Sequence, residues 1–314
     1  MVMNLVALST NINFPNLGIE LKNVPDAIDF FGYPITLYGI IIAVGMLLGF
    51  FITEWMAKRT GQNKEIYLDF ALYAVIISVA GARIYYVIFE WESFRDNPLS
   101  ILNLRTGGLA IYGGILAAVA TAIVFSRVKR YSFWLLADTA CIGLITGQII
   151  GRWGNFFNRE AFGKYTNSLF VMQLDLRDVD AVFRKHVSLS RLEQIYEGRE
   201  AALQRILEIR NNLVVRDGIE YIQVHPTFLY ESAWNFCLLL FLIYFTRKKS
   251  FDGEVALLYF AGYGLGRLWI EGLRTDQLFL WGTDIAVSQL LAGVMLLAST
   301  VAIIYMRRRQ AAKG

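Results

Sequence analysis

A segment of thirteen residues, 151–163, concentrates polar groups at the end of an apolar run. It reads Gly-Arg-Trp-Gly-Asn-Phe-Phe-Asn-Arg-Glu-Ala-Phe-Gly. Arginine offers a planar fork of donors that matches phosphate oxygens, asparagine adds neutral donors and acceptors, and glycine lets backbone N–H groups approach an anion closely. This signature segment predicts a site for a phosphate-bearing ligand at a membrane boundary. The alternative is an arginine anchor followed by a glycine turn that ends a helix.

A second group of ionisable residues lies within apolar sequence nearer the C-terminus. Arg267, Glu271 and Arg274 are spaced i, i+4 and i+7. This spacing places them on one face of a helix, where the carboxylate can orient a guanidinium. Arginine within a bilayer is costly unless it is paired or faces a cavity, so the group predicts a functional site. The alternative is a structural ion pair that holds helices together.

The composition predicts an integral membrane protein. Of the 314 residues 56% are hydrophobic and 18% are charged, and the mean hydropathy is +0.45, which is too apolar for an ordinary soluble domain. The net charge of +4 comes from short basic clusters beside apolar runs, a pattern of membrane orientation, so no nucleic-acid binding is expected. Cys141 and Cys237 lie in apolar runs without metal-site spacing, so we expect neither a metal site nor a disulfide. No nucleotide-binding loop is visible either, so no cofactor is expected. No basic segment precedes Lys22, and no cleavable signal peptide is predicted.

The apolar runs predict an all-α polytopic membrane protein with seven transmembrane helices. Short basic clusters follow the first, third, fifth and seventh runs, which places the N-terminus outside and the C-terminus in the cytoplasm. The alternate short loops hold only Arg95, Arg105 and Arg274. The predicted spans are residues 37–56, 67–89, 109–126, 133–151, 226–246, 254–272 and 284–306. The basic clusters are Lys58, Arg59 and Lys64; Arg127, Lys129 and Arg130; Arg247, Lys248 and Lys249; and Arg307, Arg308, Arg309 and Lys313.

The spans divide the chain into five regions. A small mixed α/β extracytoplasmic cap is predicted between the fourth and fifth spans, because residues 171–177 partly alternate like a strand and residues 189–213 have an amphipathic helical pattern. The regions are an extracytoplasmic N-terminal arm at 1–36, transmembrane helices 1–4 with the signature segment at 37–163, the cap at 164–224, transmembrane helices 5–7 at 225–306, and a basic cytoplasmic tail at 307–314.

The polar residues of these spans converge on one layer. Arg83, Arg152 and Arg267 lie about 13 to 19 residues after the cytoplasmic ends of outward-running helices, or roughly 20 to 28 Å into a core about 30 Å thick. The polar positions of the inward-running helices, namely Tyr38, Tyr112 and Glu231, lie near their outer ends. The site is therefore expected towards the outer leaflet. Arg83 could instead extend its guanidinium to the interface.

Several motifs resemble those of the prolipoprotein diacylglyceryl transferases. The signature segment, as Gly-Arg-x-Gly-Asn-Phe-x-Asn-x-Glu-x-x-Gly, is similar to the family signature, and residues 225–231, His-Pro-Thr-Phe-Leu-Tyr-Glu, resemble the family's His-Pro-x-x-Leu-Tyr-Glu. Residues 263–267, Tyr-Gly-Leu-Gly-Arg, with Glu271 and Arg274 resemble its sixth-helix motif. Tyr38-Gly39, the glycine-rich residues 107–114 and Ser288-Gln289 extend the resemblance over all seven spans.

The resemblance implies a multi-pass enzyme of the bacterial plasma membrane. Such an enzyme transfers diacylglyceryl from phosphatidylglycerol to the lipobox cysteine of a prolipoprotein signal peptide, and needs no cofactor. By the matching motifs, the residues with expected catalytic roles are Arg152, Arg267, Tyr112 and Glu160. Those expected to bind substrate are Tyr38, Arg83, Asn155, Asn158, Gly163, Tyr230, Glu231, Glu271 and Arg274.

Tyr112 departs from the family pattern, because many members have histidine at this position. A phenol, with an ordinary pKa of about 10, is a poorer base at neutral pH than imidazole. Either nearby arginines favour its phenolate, or Tyr112 positions a ligand while another group takes the proton.

Two other classes of protein could use a layer of arginines. A transporter of anionic lipids or metabolites would place its site near the midplane, between repeats and broken helices, whereas this layer lies outward and no repeat is visible. A non-catalytic lipid-binding scaffold would need the arginines, but not the asparagines and carboxylates beside them.

Overall fold

The computed structural model describes residues 10–104, 107–280, 283 and 285–312. Six of its helices are long and apolar enough to cross a membrane, so the protein is mostly helical and polytopic, as predicted. Residues 1–9 of the predicted arm, Arg105, the first residue of the seventh predicted span at 284, and Lys313 in the tail lie outside the described residues. The six helices are α1 (Leu37–Arg59), α2 (Lys64–Phe89), α3 (Ile111–Val128), α4 (Phe133–Asn158), α7 (Thr227–Phe245) and α9 (Val287–Ala311).

The sixth predicted span forms helix α8, Glu254–Glu271. Its 18 residues include three charged ones, Glu254, Arg267 and Glu271, and it falls outside the set of six strongly apolar helices. Two of these three, Arg267 and Glu271, are predicted site residues. A count of seven spans therefore stays a prediction.

The chain divides into two compact units. The first contains the described residues of 1–48, 144–244 and 257–314, and the second contains the described residues of 49–143 and 245–256. Helices α1, α4, α7 and α8 contribute residues to both units, although only Phe245 of α7 falls in the second. The signature segment belongs wholly to the first unit.

The first unit contains a five-stranded antiparallel sheet. Its strand order is β2-β1-β5-β7-β6, with Ile12 opposite Leu174 and Leu174 opposite Ile222. These three side chains are fully buried among the apolar residues of two helices, α5 (Leu189–Ile195) and α6 (Glu200–Asn211). The strands are β1 (Thr10–Phe14), β2 (Ile19–Val24), β5 (Met172–Asp175), β6 (Val214–Arg216) and β7 (Ile219–Val224).

Strand β5 confirms the predicted strand near residues 171–177. Helices α5 and α6 confirm the helical pattern at 189–213, but Gly198, in the left-handed region at φ +70°, separates the two. The sequence did not predict that β1 and β2 join this sheet. Two more strands, β3 (Ala27–Phe30) and β4 (Tyr33–Thr36), form a separate hairpin that runs directly into α1. The described part of the predicted N-terminal arm, residues 10–36, is thus built mainly of strands.

The second unit contains a close contact between α2 and α3. A Cβ at Gly113 would lie 2.5 Å from the carbonyl oxygen of Gly81, and a Cβ at Gly81 would lie 2.4 Å from the Cβ of Ala117. Such distances are too short for side chains, so glycine at both positions permits the helices to touch. Elsewhere in this unit, the buried carboxylate of Asp138 accepts hydrogen bonds from Lys249 Nζ and from the backbone at the start of α8.

Candidate active site

Helices α4, α7 and α8 bring the central predicted residues together in the first unit. Arg152 Nη2 lies 2.7 Å from Glu231 Oε2, and Arg267 Nη1 lies 3.0 Å from Glu231 Oε1. The side chain of Glu231 is 5% exposed, while those of Arg152 and Arg267 are 19% and 17% exposed. One buried carboxylate therefore holds two guanidiniums that remain partly accessible.

A second carboxylate extends this arrangement. Arg267 Nη2 lies 2.6 Å from Glu271 Oε2, and the hydroxyl of Ser288 in α9 donates to Glu271 Oε1 at 2.5 Å. Arg274 Nη1 lies 3.6 Å from Glu231 Oε1. We call Arg152, Glu231, Arg267, Glu271 and Arg274 the charged cluster. The structure brings together all five of these predicted site residues.

Asp276 was not predicted from the sequence. Its two oxygens accept from Arg274 Nε at 2.9 Å and Nη2 at 2.6 Å, a bidentate pair at the exposed edge of the charged cluster. Burial opposes the charge of Arg274, but its hydrogen bonds to Asp276 and its attraction to Asp276 and Glu271 outweigh this and raise its pKa. Arg274 is therefore held as a permanent cation. An acidic residue two positions after an arginine is too common a pattern to have indicated this pair.

The charged cluster retains capacity for an anion. A guanidinium has five N–H donors. Among the described residues, Arg152 makes a single ion pair, through Nη2 to Glu231. Its remaining donors are suited to the oxygens of a phosphate group, which prefers bidentate arginine contacts.

The signature segment divides its polar residues between two roles. Glu160 Oε1 accepts from Asn155 Nδ2 at 2.9 Å and from Asn158 Nδ2 at 3.4 Å, so the carboxylate orients both amides. Arg159 turns the other way: its buried guanidinium lies 2.9 Å from Asp178 Oδ2 and also donates to the carbonyl of Val24. Its φ of +51° redirects the chain just after α4 ends at Asn158. Arg152 and Arg159 are therefore not equivalent.

The end of the signature segment is bonded to two other chain segments. Gly163 N donates to His225 O at 2.9 Å, His225 N to Lys164 O at 3.1 Å, and Lys164 N to Leu273 O at 2.7 Å. Thr227 Oγ1 donates to Ala161 O. The segment is thereby fixed to the start of α7 and to the residues that follow α8, which are the elements that carry Glu231 and Arg274.

Gly163 lies where these three segments meet. A Cβ there would lie 2.8 Å from the Cβ of His225 and 3.2 Å from the carbonyl oxygen of Leu273. We expect Gly163→Ala to lower stability by about 1–3 kcal/mol because neither neighbour is a flexible side-chain end. Thermal unfolding in detergent measures this. Gly293→Ala is the control, since its Cβ would meet only Leu268 Cδ1 at 3.8 Å, and equal losses for both variants would contradict the prediction.

Tyr38 and Tyr230 also belong to the first unit. The ring of Tyr38 packs against α4 where Gly154 leaves room, since a Cβ at Gly154 would lie 2.7 Å from the ring. Tyr230 OH lies 3.1 Å from His225 Nδ1, and its ring stacks near Trp269 at a centroid distance of 6.3 Å. Each tyrosine is thus fixed by packing beside an element that carries the charged cluster.

His225 predicts a pH dependence of stability. Burial, and secondarily Lys164, lower its pKa below the ordinary 6.5, so the folded state favours neutral imidazole. The stability that this preference contributes is present above pH 6.5 and declines as the pH falls from there through the folded pKa. We expect His225→Gln to lose less stability than wild type between pH 7.5 and 5.5, as measured by thermal unfolding. The exposed His186, changed to glutamine, is the control and should behave as wild type; an equal acid-induced loss in His225→Gln would contradict the prediction.

Arg83 and Tyr112 belong to the second unit. The buried guanidinium of Arg83 donates to five carbonyl oxygens, those of Ser100, Ile101, Asn103, Gly107 and Gly108, at 2.7–3.1 Å. Because its N–H donors bind the backbone of the segment before α3, Arg83 is better suited to holding that segment in place than to the predicted contact with substrate. Tyr112 lies in the first turn of α3 and is 41% exposed. Its predicted catalytic role stays a prediction.

Together, the fold and the charged cluster define a polytopic membrane protein with arginines suited to an anionic headgroup. The sequence profile described as prolipoprotein diacylglyceryl transferase matches residues 25–305, and the chain belongs to this family. It is 38% identical over 276 residues to the phosphatidylglycerol--prolipoprotein diacylglyceryl transferase of Bacillus cytotoxicus, covering 88% of this chain and 89% of the relative. The identity to the protein of that name from Listeria welshimeri is 40% over 283 residues, which is 90% of both chains. These relationships confirm the resemblance seen in the motifs.

Proposed function

We propose that the protein transfers the diacylglyceryl group of phosphatidylglycerol to the lipobox cysteine of prolipoprotein signal peptides. The observation that carries this proposal is the sharing of Glu231 by Arg152 and Arg267, which holds two partly accessible guanidiniums side by side. The planar N–H donors of two guanidiniums match the oxygens of a phosphodiester. The relatives of this chain are named for the same reaction.

The reaction replaces a C–O bond by a C–S bond. The cysteine thiolate forms a bond to the glyceryl carbon, the bond from that carbon to the phosphate oxygen breaks, and its electron pair remains on the departing glycerol 1-phosphate. Charge therefore develops on the phosphate in the transition state. Donors that are already in place stabilise such charge without reorganising, which is the role we assign to Arg152 and Arg267.

The amides of the signature segment fit the other end of the leaving group. Asn155 and Asn158 are oriented by Glu160, and all three side chains have some exposure. We assign them to the glycerol hydroxyls of the headgroup. Glu231 and Glu271 hold the arginines in place. Tyr38 packs against α4, Tyr230 lies on α7 and Arg274 lies beside Glu231, so we assign these three to the surroundings of the bound lipid.

The thiol must lose its proton, because the thiolate is the nucleophile and a free cysteine, with a pKa of about 8.5, is mostly protonated at neutral pH. The positive field of the arginines favours the thiolate. Tyr112 either accepts this proton or positions the ligand while another group accepts it. No group of three or more His, Cys, Asp or Glu residues that could hold a metal occurs among the described residues.

The membrane arrangement that accompanies this function has seven spans, with α8 as the sixth. Its charged residues are then paired within the protein, Arg267 with Glu231 and Glu271, which is how ionisable groups persist in a bilayer. The basic clusters support an orientation with the N-terminus outside, the sheet in an extracytoplasmic cap and the charged cluster towards the outer leaflet of a bacterial plasma membrane.

The test is glycerol phosphate release by purified protein in detergent, given phosphatidylglycerol and a signal peptide. We expect release only when the peptide carries its lipobox cysteine, and none with a Cys-to-Ser peptide. Absence of release from folded protein with both substrates would overturn the proposed function. Release without any peptide would indicate hydrolysis of the phospholipid to diacylglycerol and glycerol phosphate, the reaction of a phospholipase C.

A further inference from the structure

A second polar layer lies next to the charged cluster along α4 and α7. Gln148 precedes Arg152 by four residues and Asn235 follows Glu231 by four, so each shares a helical face with its charged neighbour. The two helices run antiparallel here, because residue numbers fall along α4 as they rise along α7: the ring of Trp153 lies 5.3 Å from that of Phe228, Arg152 pairs with Glu231, and Ser232 Oγ donates to the carbonyl of Ile149 at 3.1 Å. Gln148 and Asn235 therefore lie on the same side of the Arg152–Glu231 pair, one helical turn from it.

Two amide atoms of this layer are buried and have no hydrogen-bond partner among the described residues. Asn235 is 2% exposed, and its Nδ2 makes no hydrogen bond within the part of the chain that the structure describes. Gln148 Nε2 donates to Tyr259 OH at 2.9 Å, but its Oε1 is buried and likewise makes no bond to a described residue. Buried amide groups are nearly always hydrogen-bonded, so an acceptor for Asn235 Nδ2 is required.

We propose that Asn235 Nδ2 donates a hydrogen bond to an ester carbonyl of the lipid donor, which makes Asn235 a residue that selects diacyl ester lipids. This inference rests on the proposed function. A phosphate on Arg152 and Arg267 leaves the glycerol ester groups a few bonds away, towards the acyl chains. One helical turn rises about 5.4 Å, which is comparable to that separation.

The depth of Gln148 and Asn235 relative to the arginines matches the order of groups in a phospholipid. In the proposed orientation α4 runs outward and α7 runs inward, so Gln148 and Asn235 lie on the midplane side of the arginines. The ester carbonyls of a phospholipid lie on the midplane side of its phosphate in the same way. Donor and acceptor are thus matched in depth as well as in chemistry.

The experiment compares two lipids and several forms of the protein. The lipids are phosphatidylglycerol with two ester-linked chains and its diether analogue, which keeps the phosphate headgroup and the chain length but has no carbonyl. Wild type should release glycerol phosphate about five- to tenfold faster from the diester, the effect of one neutral hydrogen bond. Asn235→Leu should turn over the two lipids at similar rates. Ser232→Ala, one turn away on the same helix, is the control and should keep the wild-type ratio.

The ratio of the diester rate to the diether rate distinguishes recognition of the lipid by Asn235 from a purely structural role of this residue. A purely structural Asn235 would slow both lipids equally and leave the ratio unchanged, and that result would overturn the inference. Equal wild-type rates on diester and diether would overturn it too, and would favour a water molecule between Gln148 and Asn235. If Asn235→Leu does not fold, Asn235→Ala carries the same expectation.

Binding distinguishes failure of this inference from failure of the proposed function. Should wild type release no glycerol phosphate from either lipid, thermal stabilisation by diester and diether micelles is measured in its place. Greater stabilisation by the diester, lost in Asn235→Leu, would support the ester site in a protein without the transfer reaction. Equal stabilisation by both lipids would reject the ester site.

Discussion

Arg152→Ala is expected to reduce glycerol phosphate release by about a hundred- to a thousandfold, the usual effect of removing one donor that stabilises transition-state charge. The reason is that Arg152 has one ion pair within the described structure and donors left for the phosphate. Arg152→Lys should recover only a small part of the rate, because an ammonium keeps the charge but not the planar fork. The measurement is kcat and KM for phosphatidylglycerol with a fixed signal peptide.

The second arginine of the signature segment provides the matched control. The guanidinium of Arg159 is buried against Asp178, away from the asparagines, so Arg159→Ala should lower thermal stability and leave kcat of the folded fraction close to wild type. A reversal, in which Arg159→Ala loses kcat and Arg152→Ala does not, would place the phosphate outside the charged cluster.

Glu231→Gln is expected to lower both stability and activity more than Glu271→Gln. Glu231 lies within 4 Å of three guanidiniums. Glu271 lies within 4 Å of two, those of Arg267 and Arg274, and accepts a hydrogen bond from Ser288. Breaking a buried ion pair by removing one partner costs about 3–5 kcal/mol, because the remaining charges are left uncompensated. Thermal unfolding in detergent should show the loss, and the exposed Glu208, changed to glutamine, should show none.

An added anion provides a sharper test of the same site. Glycerol 1-phosphate should stabilise Glu231→Gln more than it stabilises wild type, since the phosphate can replace the missing negative charge between the arginines. Stabilisation that is equal in the two proteins would show that the anion binds elsewhere.

The central part of the site was predictable because it depends on regular spacing. Helical rise and the alternation of basic loops placed Arg152, Glu231 and Arg267 in one layer, and the structure joins them. The i, i+4 spacing also predicted the Arg267–Glu271 pair, which lies at 2.6 Å. Such features follow from the geometry of single helices and their order in the chain.

Other features depend on contacts that no local pattern encodes. The two arginines of the signature segment look alike in sequence, but the helix ends between them and a left-handed residue turns Arg159 towards Asp178. Arg83 bonds to carbonyls of an irregular segment, whose backbone direction cannot be derived from residue types. Asn235 and Gln148 read as ordinary polar residues in apolar helices until their burial and missing partners are known.

The pairing of β1 with β5 has a consequence for how the protein is made. Ile12 and Leu174 are opposite each other in the sheet but 162 positions apart in the chain. At a synthesis rate of about 5–20 residues per second, β1 leaves the ribosome on the order of ten seconds or more before its partner exists. During that interval four long apolar helices must be inserted. The edge of β1 that later pairs with β5 stays unpaired over this time and could pair with a strand of another chain. Biogenesis of this protein therefore includes a late step, the closing of the sheet, that begins only after the fourth helix is complete.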